Sequence, residues 1–151
     1  VWTVGWGAAI PREQHAGGKL FVTGMAIRRK NVLILDPDRD TSELFARALE
    51  SRRDCKCYLT SREEEAVSLL KEVAFDLLLM DLGTVMAADF GLLKRIRRAV
   101  PGALLVVDAY LHQKEQVQRA IALGANGYFI KPIKVDELRR RVDGYYGAAK
   151  A

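Results

Sequence analysis

Four apolar runs in this chain each end in a charged residue. Val32-Leu33-Ile34-Leu35 runs into Asp36, Phe75-Asp76-Leu77-Leu78-Leu79-Met80 into Asp81, Leu104-Leu105-Val106-Val107 into Asp108, and Tyr128-Phe129-Ile130 into Lys131. Runs this short, apolar on both faces and separated by helical patterns, read as parallel strands with both sides of the sheet covered. The spacing predicts strands over 31–35, 55–59, 75–80, 103–107 and 127–130. Helices are predicted near 41–51, from Ser61, over 90–98, 114–123 and 135–145. Five strands alternating with five helices imply an α/β fold, a doubly wound three-layer sandwich.

Local signals refine the boundaries. Asp38, Asp40 and Thr41 suit the N-cap of the first helix, and Ser61 with Glu64 has capping-box spacing for the second. Glu63-Glu64-Glu65 then lies in a first turn, where acids suit the helix dipole. Gly124 sits where a helix is left through a C′ glycine. Residues 1–27 break the pattern with Gly5, Gly7, Pro11, Gly17, Gly18 and Gly24, and hold both tryptophans, Trp2 and Trp6. They are expected to be irregular, either an extension ahead of the domain or a cloning remnant, with a docking arm as the alternative. The domain itself is expected over 28–146, followed by a tail over 147–151 too short for an output domain.

Composition narrows the class. The chain has 151 residues, half of them hydrophobic and 28% charged, the profile of one ordinary globular domain. Its net charge is +5, but four of those charges fall within the first thirty residues, where five basic side chains meet only Glu13. The basic balance is therefore weak evidence for direct nucleic-acid binding. The runs Lys94-Arg95-Ile96-Arg97-Arg98 and Arg139-Arg140-Arg141 read first as solvated helix faces. Cys55 and Cys57 share one face of a strand, which suits buried thiols better than a disulfide or a zinc site. His15 and His112 lack partners at ligand spacing. No run reaches membrane-spanning length and no signal peptide opens the chain, so a cytoplasmic protein without membrane contact is expected.

Carboxylates and a lysine at the carboxyl ends of parallel strands converge on the crevice where such sheets place their sites. A carboxylate there can accept a phosphoryl group. The chemistry is then mostly positioning and charge neutralisation, by Mg²⁺ on carboxylates and by a lysine. In order and spacing, Leu35-Asp36-Pro37-Asp38, Leu79-Met80-Asp81-Leu82, Val107-Asp108-Ala109-Tyr110 and Ile130-Lys131-Pro132 resemble the receiver domain of two-component response regulators. The stretch from Ala120 to Pro132 is especially similar. The resemblance covers residues 31–145 and implies a flavodoxin-like sheet in the order 2-1-3-4-5. It implies Asp81 as phosphoacceptor, Lys131 as the phosphate lysine, Asp36 and the backbone carbonyl of Gly83 as Mg²⁺ ligands, and Tyr128 as the switch aromatic. It also implies a sensor histidine kinase or downstream protein as partner, with contacts or homodimerisation through the fourth helix, fifth strand and fifth helix.

Two departures change this expectation. Pro37 stands where the family has a second metal-binding acid, with Asp38 beside it as a possible substitute. Asp108 stands at the hydroxyl position, where it repels a phosphoryl oxygen instead of donating to it. Two charges about 4 Å apart interact by roughly 4 kcal/mol at an effective dielectric near 20. Val85 also replaces a proline, and the Asp-Gly before the third helix is absent. Asp108 either engages Lys131 and mimics part of the phosphorylated network, or completes a metal site with Asp36 and Asp81. Clustered acids can also hold a proton in place of a metal. The expected function is an atypical, weakly phosphorylated or phosphorylation-independent interaction module, with an ordinary Asp81-phosphorylated receiver as the alternative. A phosphohydrolase would want an acid two residues past Asp81, where Gly83 stands. A flavin or nucleotide binder would want a glycine-rich loop where Asp36-Pro37-Asp38-Arg39 is acidic.

Overall fold

A computed structural model of the chain describes residues 2–4, 19–22, 25–28, 30–51 and 55–148. Strand β4 (Lys30–Leu35) is central. It pairs in parallel with β5 (Cys55–Thr60) on one side and β6 (Leu77–Asp81) on the other. β7 (Leu104–Ala109) follows β6, and β8 (Gly127–Ile130) follows β7, again in parallel. The five strands therefore stand in the order 2-1-3-4-5, as the flavodoxin-like expectation has it.

Alternation along each strand sorts the core into two layers. Val32, Ile34, Leu77, Leu79 and Val106 face α1 (Arg39–Glu50) and α6 (Val135–Ala148), where Phe45, Leu49, Leu138 and Val142 meet them. Leu33, Leu35, Leu78, Met80, Leu105 and Val107 face the opposite layer: α2 (Glu63–Glu72), α3 (Leu82–Val85), α4 (Ala87–Ala99) and α5 (Lys114–Ala122). Cys55 and Cys57 form no disulfide and are buried in the first layer, as their spacing predicts.

Five local expectations need correction. Within the segment expected to be irregular, β1 (Trp2–Val4) pairs antiparallel with the edge of β5, while β2 (Lys19–Val22) and β3 (Met25–Arg28) pair with each other. Strands of three or four residues are held by backbone ladders and leave little side-chain period to read. Trp6, His15 and residues 149–151 lie outside the described residues. α6 continues to Ala148, past the expected end of the domain.

The cap of α2 is also displaced. Its N-cap is Arg62, with no side-chain cap. The buried Thr60 hydroxyl accepts from the Arg62 backbone N–H at 3.1 Å and donates to Glu65 at 2.7 Å, leaving Ser61 exposed. The loop expected after Asp81 is instead the single turn α3, followed by a left-handed bend within α4. Ala88, Asp89 and Phe90 have φ of 53°, 55° and 61°. Burial of Phe90 and the Phe90 N–H bond to the Met86 carbonyl at 3.0 Å offset that strain.

Arg97 does not lie on a solvated face. Its guanidinium donates to the carbonyls of Val100, Pro101, Ala103 and Gly124 and to Asn126 Oδ1, at 2.6–3.1 Å. Gly124, at φ +118°, makes room for it, since a Cβ there would meet Arg97 Cδ at 2.6 Å.

Candidate functional site

The sheet register brings the strand ends together. Leu35 pairs with Met80, so Asp36 and Asp81 follow side by side, and Asp81 pairs directly with Asp108. Ala109 pairs with Ile130, and the Lys131 N–H bonds the Ala109 carbonyl at 2.7 Å, carrying the lysine over the same edge. All four side chains expected to form the pocket therefore converge.

Lys131 Nζ is the centre of the arrangement. It lies 3.1 Å from Asp36 Oδ2, 3.0 Å from Asp81 Oδ1 and 3.0 Å from Asp108 Oδ2. The contacts to Asp36 and Asp81 are hydrogen bonds, whereas the contact to Asp108 Oδ2 is electrostatic and lacks hydrogen-bond geometry. Asp36 and Asp108 are 1% and 2% exposed, and the Asp81 side chain 14%. Asp36 Oδ1 accepts from the Asp38 N–H at 2.8 Å. Asp81 Oδ2 caps α3 by accepting from the Thr84 N–H at 3.0 Å and the Thr84 hydroxyl at 2.9 Å. Thr84 is a pocket residue that the strand-end reading missed; Asp81 with a threonine three residues on is the cap signal that marks it.

With all four groups ionised the pocket carries two negative charges. Burial pushes the Asp108 carboxyl up to about 7; the attraction of Lys131 opposes that, and the charges of Asp36 and Asp81 reinforce it. Burial works against the charge on Lys131, but Asp108, Asp81 and Asp36 outweigh it and raise its pKa above the usual lysine range. The ammonium is thus held charged, and the proton-binding position is Asp108.

Asp36, Asp81 and Asp108 each offer one oxygen, all within 4.8 Å of one another, a donor set suited in kind to a hard divalent cation. The remaining expected ligands contribute differently. Both oxygens of Asp38 are spent on the N-cap of α1, accepting from the Asp40 N–H at 3.0 Å and the Thr41 hydroxyl at 2.6 Å, so Asp38 does not join the cluster. Pro37 has no donor. Gly83 lies in α3 with its Cα close under Asp81, where a Cβ would come to 3.2 Å from Oδ2.

Tyr128 points outward from β8 and is 40% exposed, with the Arg141 guanidinium 6.0 Å from its ring. It lines a cleft of about 400 Å³ between α5 and β8, together with Leu111, Val117, Ile121 and Ile130. Leu111 and Ile121 are 76% and 43% exposed, so this face presents three large apolar side chains to solvent. Beside the pocket, Tyr110 lies 5.3 Å from Lys131 Nζ and stacks on the exposed His112.

Residues 32–143 match the model of the response regulator receiver domain. The chain is 24% identical over 128 residues to the two-component response regulator ORR2 of Oryza sativa subsp. japonica, covering 83% of this chain and 49% of the relative. It is 27% identical over 108 residues to the chemotaxis protein CheY of Halobacterium salinarum, covering 70% of this chain and 87% of that protein. The chain thus spans about half the length of the rice relative. A response regulator from Thermotoga maritima superposes with a TM-score of 0.70 at 26% identity, over 77% of this chain and 96% of that one. Among the described residues, no helix is long and apolar enough to cross a membrane.

Proposed function

The chain belongs to the response regulator receiver domain family, and on that premise we propose that it is an atypical member: an interaction module whose pocket is set by its own charges and is phosphorylated weakly or not at all. A receiver domain is a signalling module that works through sensor kinases or downstream effectors. The finer reading rests on one observation, the Lys131 ammonium held within 3.1 Å of three carboxylates, one of them at the hydroxyl position.

Three consequences support it. A phosphoryl group on Asp81 would arrive beside Asp108, whose oxygen lies within 4.8 Å of the Asp81 oxygen. If both are ionised, the repulsion is at least about 3.5 kcal/mol per charge at an effective dielectric near 20. Lys131, the cation that would meet the phosphoryl oxygens, is already engaged by all three acids. Both Asp81 oxygens are occupied as well, by Lys131 and Thr84.

Mg²⁺ would be held by Asp36, Asp81 and Asp108 and would neutralise phosphoryl charge. Without an acid at position 37, it competes with the Lys131 ammonium for the same oxygens. The natural output surface is the exposed α5–β8 face around Leu111, Ile121 and Tyr128, continued by α6, where a partner protein or a second copy would dock.

The second reading, an ordinary receiver phosphorylated on Asp81 by a sensor histidine kinase, is favoured by the intact Asp81–Lys131 pair and the partial exposure of Asp81. The two readings separate when the protein is incubated with acetyl phosphate and Mg²⁺ and weighed intact, with Asp81→Asn as control. The atypical reading expects no adduct or only a trace. A stoichiometric phosphoryl adduct that disappears in the Asn variant would overturn it.

A further inference from the structure

On the sheet face opposite α1 and α6, helices α2 and α4 lie side by side and leave a groove of about 410 Å³ between them. Its apolar floor comes from Val67, Leu70 and Ile96, and its rim from Lys71, Arg95 and Arg98. Arg95 pairs with Glu63 at 3.2 Å, whereas Lys71 and Arg98 have no ion-pair partner among the described residues. The groove is therefore apolar within and positive at one end.

The complementary surface is on the same helix. α2 opens with Glu63, Glu64 and Glu65 and reaches Lys71 two turns later. Glu64, Val67 and Lys71 fall at i, i+3 and i+7, along one stripe. That stripe is acidic at its start, apolar in the middle and basic at its end. The Glu64 side chain is 79% exposed, and its ion pair with Arg62 is a long one, at 3.9 Å. A surface with this polarity complements itself about a two-fold axis. An antiparallel mate centred between Val67 and Ser68 sets Glu64 opposite Lys71 of the second copy, with Val67 and Leu70 packed in the middle. Arg98 then lies beside the mate's acidic turn.

We propose that the α2–α4 groove is an isologous docking surface whose occupant is α2 of a second copy of this chain. This surface lies apart from the α5–β8 face and does not depend on the state of Asp81. Polar pairing across it sets the register, and the small apolar floor makes the association weak and salt-sensitive.

The test is sedimentation velocity of the full chain from micromolar to millimolar concentration, at low salt and at high salt. Wild type is compared with Lys71→Glu, Glu64→Lys, the Glu64→Lys/Lys71→Glu double variant, and Ile121→Glu on the α5–β8 face. The proposal expects a dimer at low salt that each single charge reversal weakens by about tenfold, since both symmetry-related pairs turn repulsive. The double variant is expected to restore it, and Ile121→Glu to leave it unchanged. Circular dichroism of these exposed-site variants confirms that each is folded. A monomer at every concentration would overturn the proposal, as would a dimer unaffected by the charge reversals, one not restored in the double variant, or one lost in Ile121→Glu.

Discussion

Replacing Asp108 with Asn removes one charge from the pocket and keeps the shape of the side chain. In the ionised state Asp108 gains about 5.5 kcal/mol from Lys131 at 3.0 Å, taking an effective dielectric near 20. It loses at least about 3.5 kcal/mol to each of Asp36 and Asp81 within 4.8 Å. Attraction and repulsion are thus of similar size, and the cost of burying the charge tips the balance against the ionised form. Burial is the chief reason its pKa is raised from 3.8 to about 7, with Lys131 opposing and Asp36 and Asp81 reinforcing the shift. An acid whose pKa is raised by folding binds its proton more tightly in the native state, so its stabilising contribution is complete below about pH 4 and is lost as pH rises through about 7.

Between pH 5 and pH 8 that loss comes to about 2.5 kcal/mol, and the Asn variant does not suffer it. Urea denaturation in the presence of a chelator measures the difference directly. Asp108→Asn is expected to gain about 2–3 kcal/mol over wild type on going from pH 5 to pH 8. Equal stability differences at the two pH values would refute the buried-proton account. So would a variant that loses ground at pH 8, which would mean that the attraction to Lys131 outweighs the repulsions and the cost of burial together.

Arg97→Ala removes a donor from five acceptors at the junction of α4, β7 and the turn before β8, of which Asn126 Oδ1 and the Val100 carbonyl keep a second one, and is expected to cost about 2–4 kcal/mol by the same urea assay. A loss below about 0.5 kcal/mol would show that solvent satisfies those carbonyls equally well. For the start of α2, Thr60→Val is expected to cost about 1 kcal/mol, while Ser61→Ala changes thermal stability by less than about 0.5 kcal/mol. The reverse order would return the cap to Ser61.

The strand–helix alternation and the identity of the pocket were legible because they depend on local pattern. A buried parallel strand must be apolar on both faces, and a polar residue at its carboxyl end has nowhere to point but the crevice. That reasoning located Asp36, Asp81, Asp108 and Lys131 without any knowledge of their partners. Asp38 was legible as a cap for the same reason, since its contacts lie two and three residues away.

Tertiary structure alone decided what these groups do to one another. Lys131 reaches Asp36 across 95 residues and Asp81 across 50, so its three-way bridging follows from sheet order and not from any spacing in the chain. The raised pKa of Asp108 likewise depends on burial and on charges from other strands. Arg97 looked like one member of a basic run because its acceptors are carbonyls, which carry no sequence signal. The capping role of Thr60 depends on how β5 turns into α2, and β1 depends on an open edge of β5. Short-range order is written in residue type and period; charge balance is a property of distances that exist only once the sheet has formed.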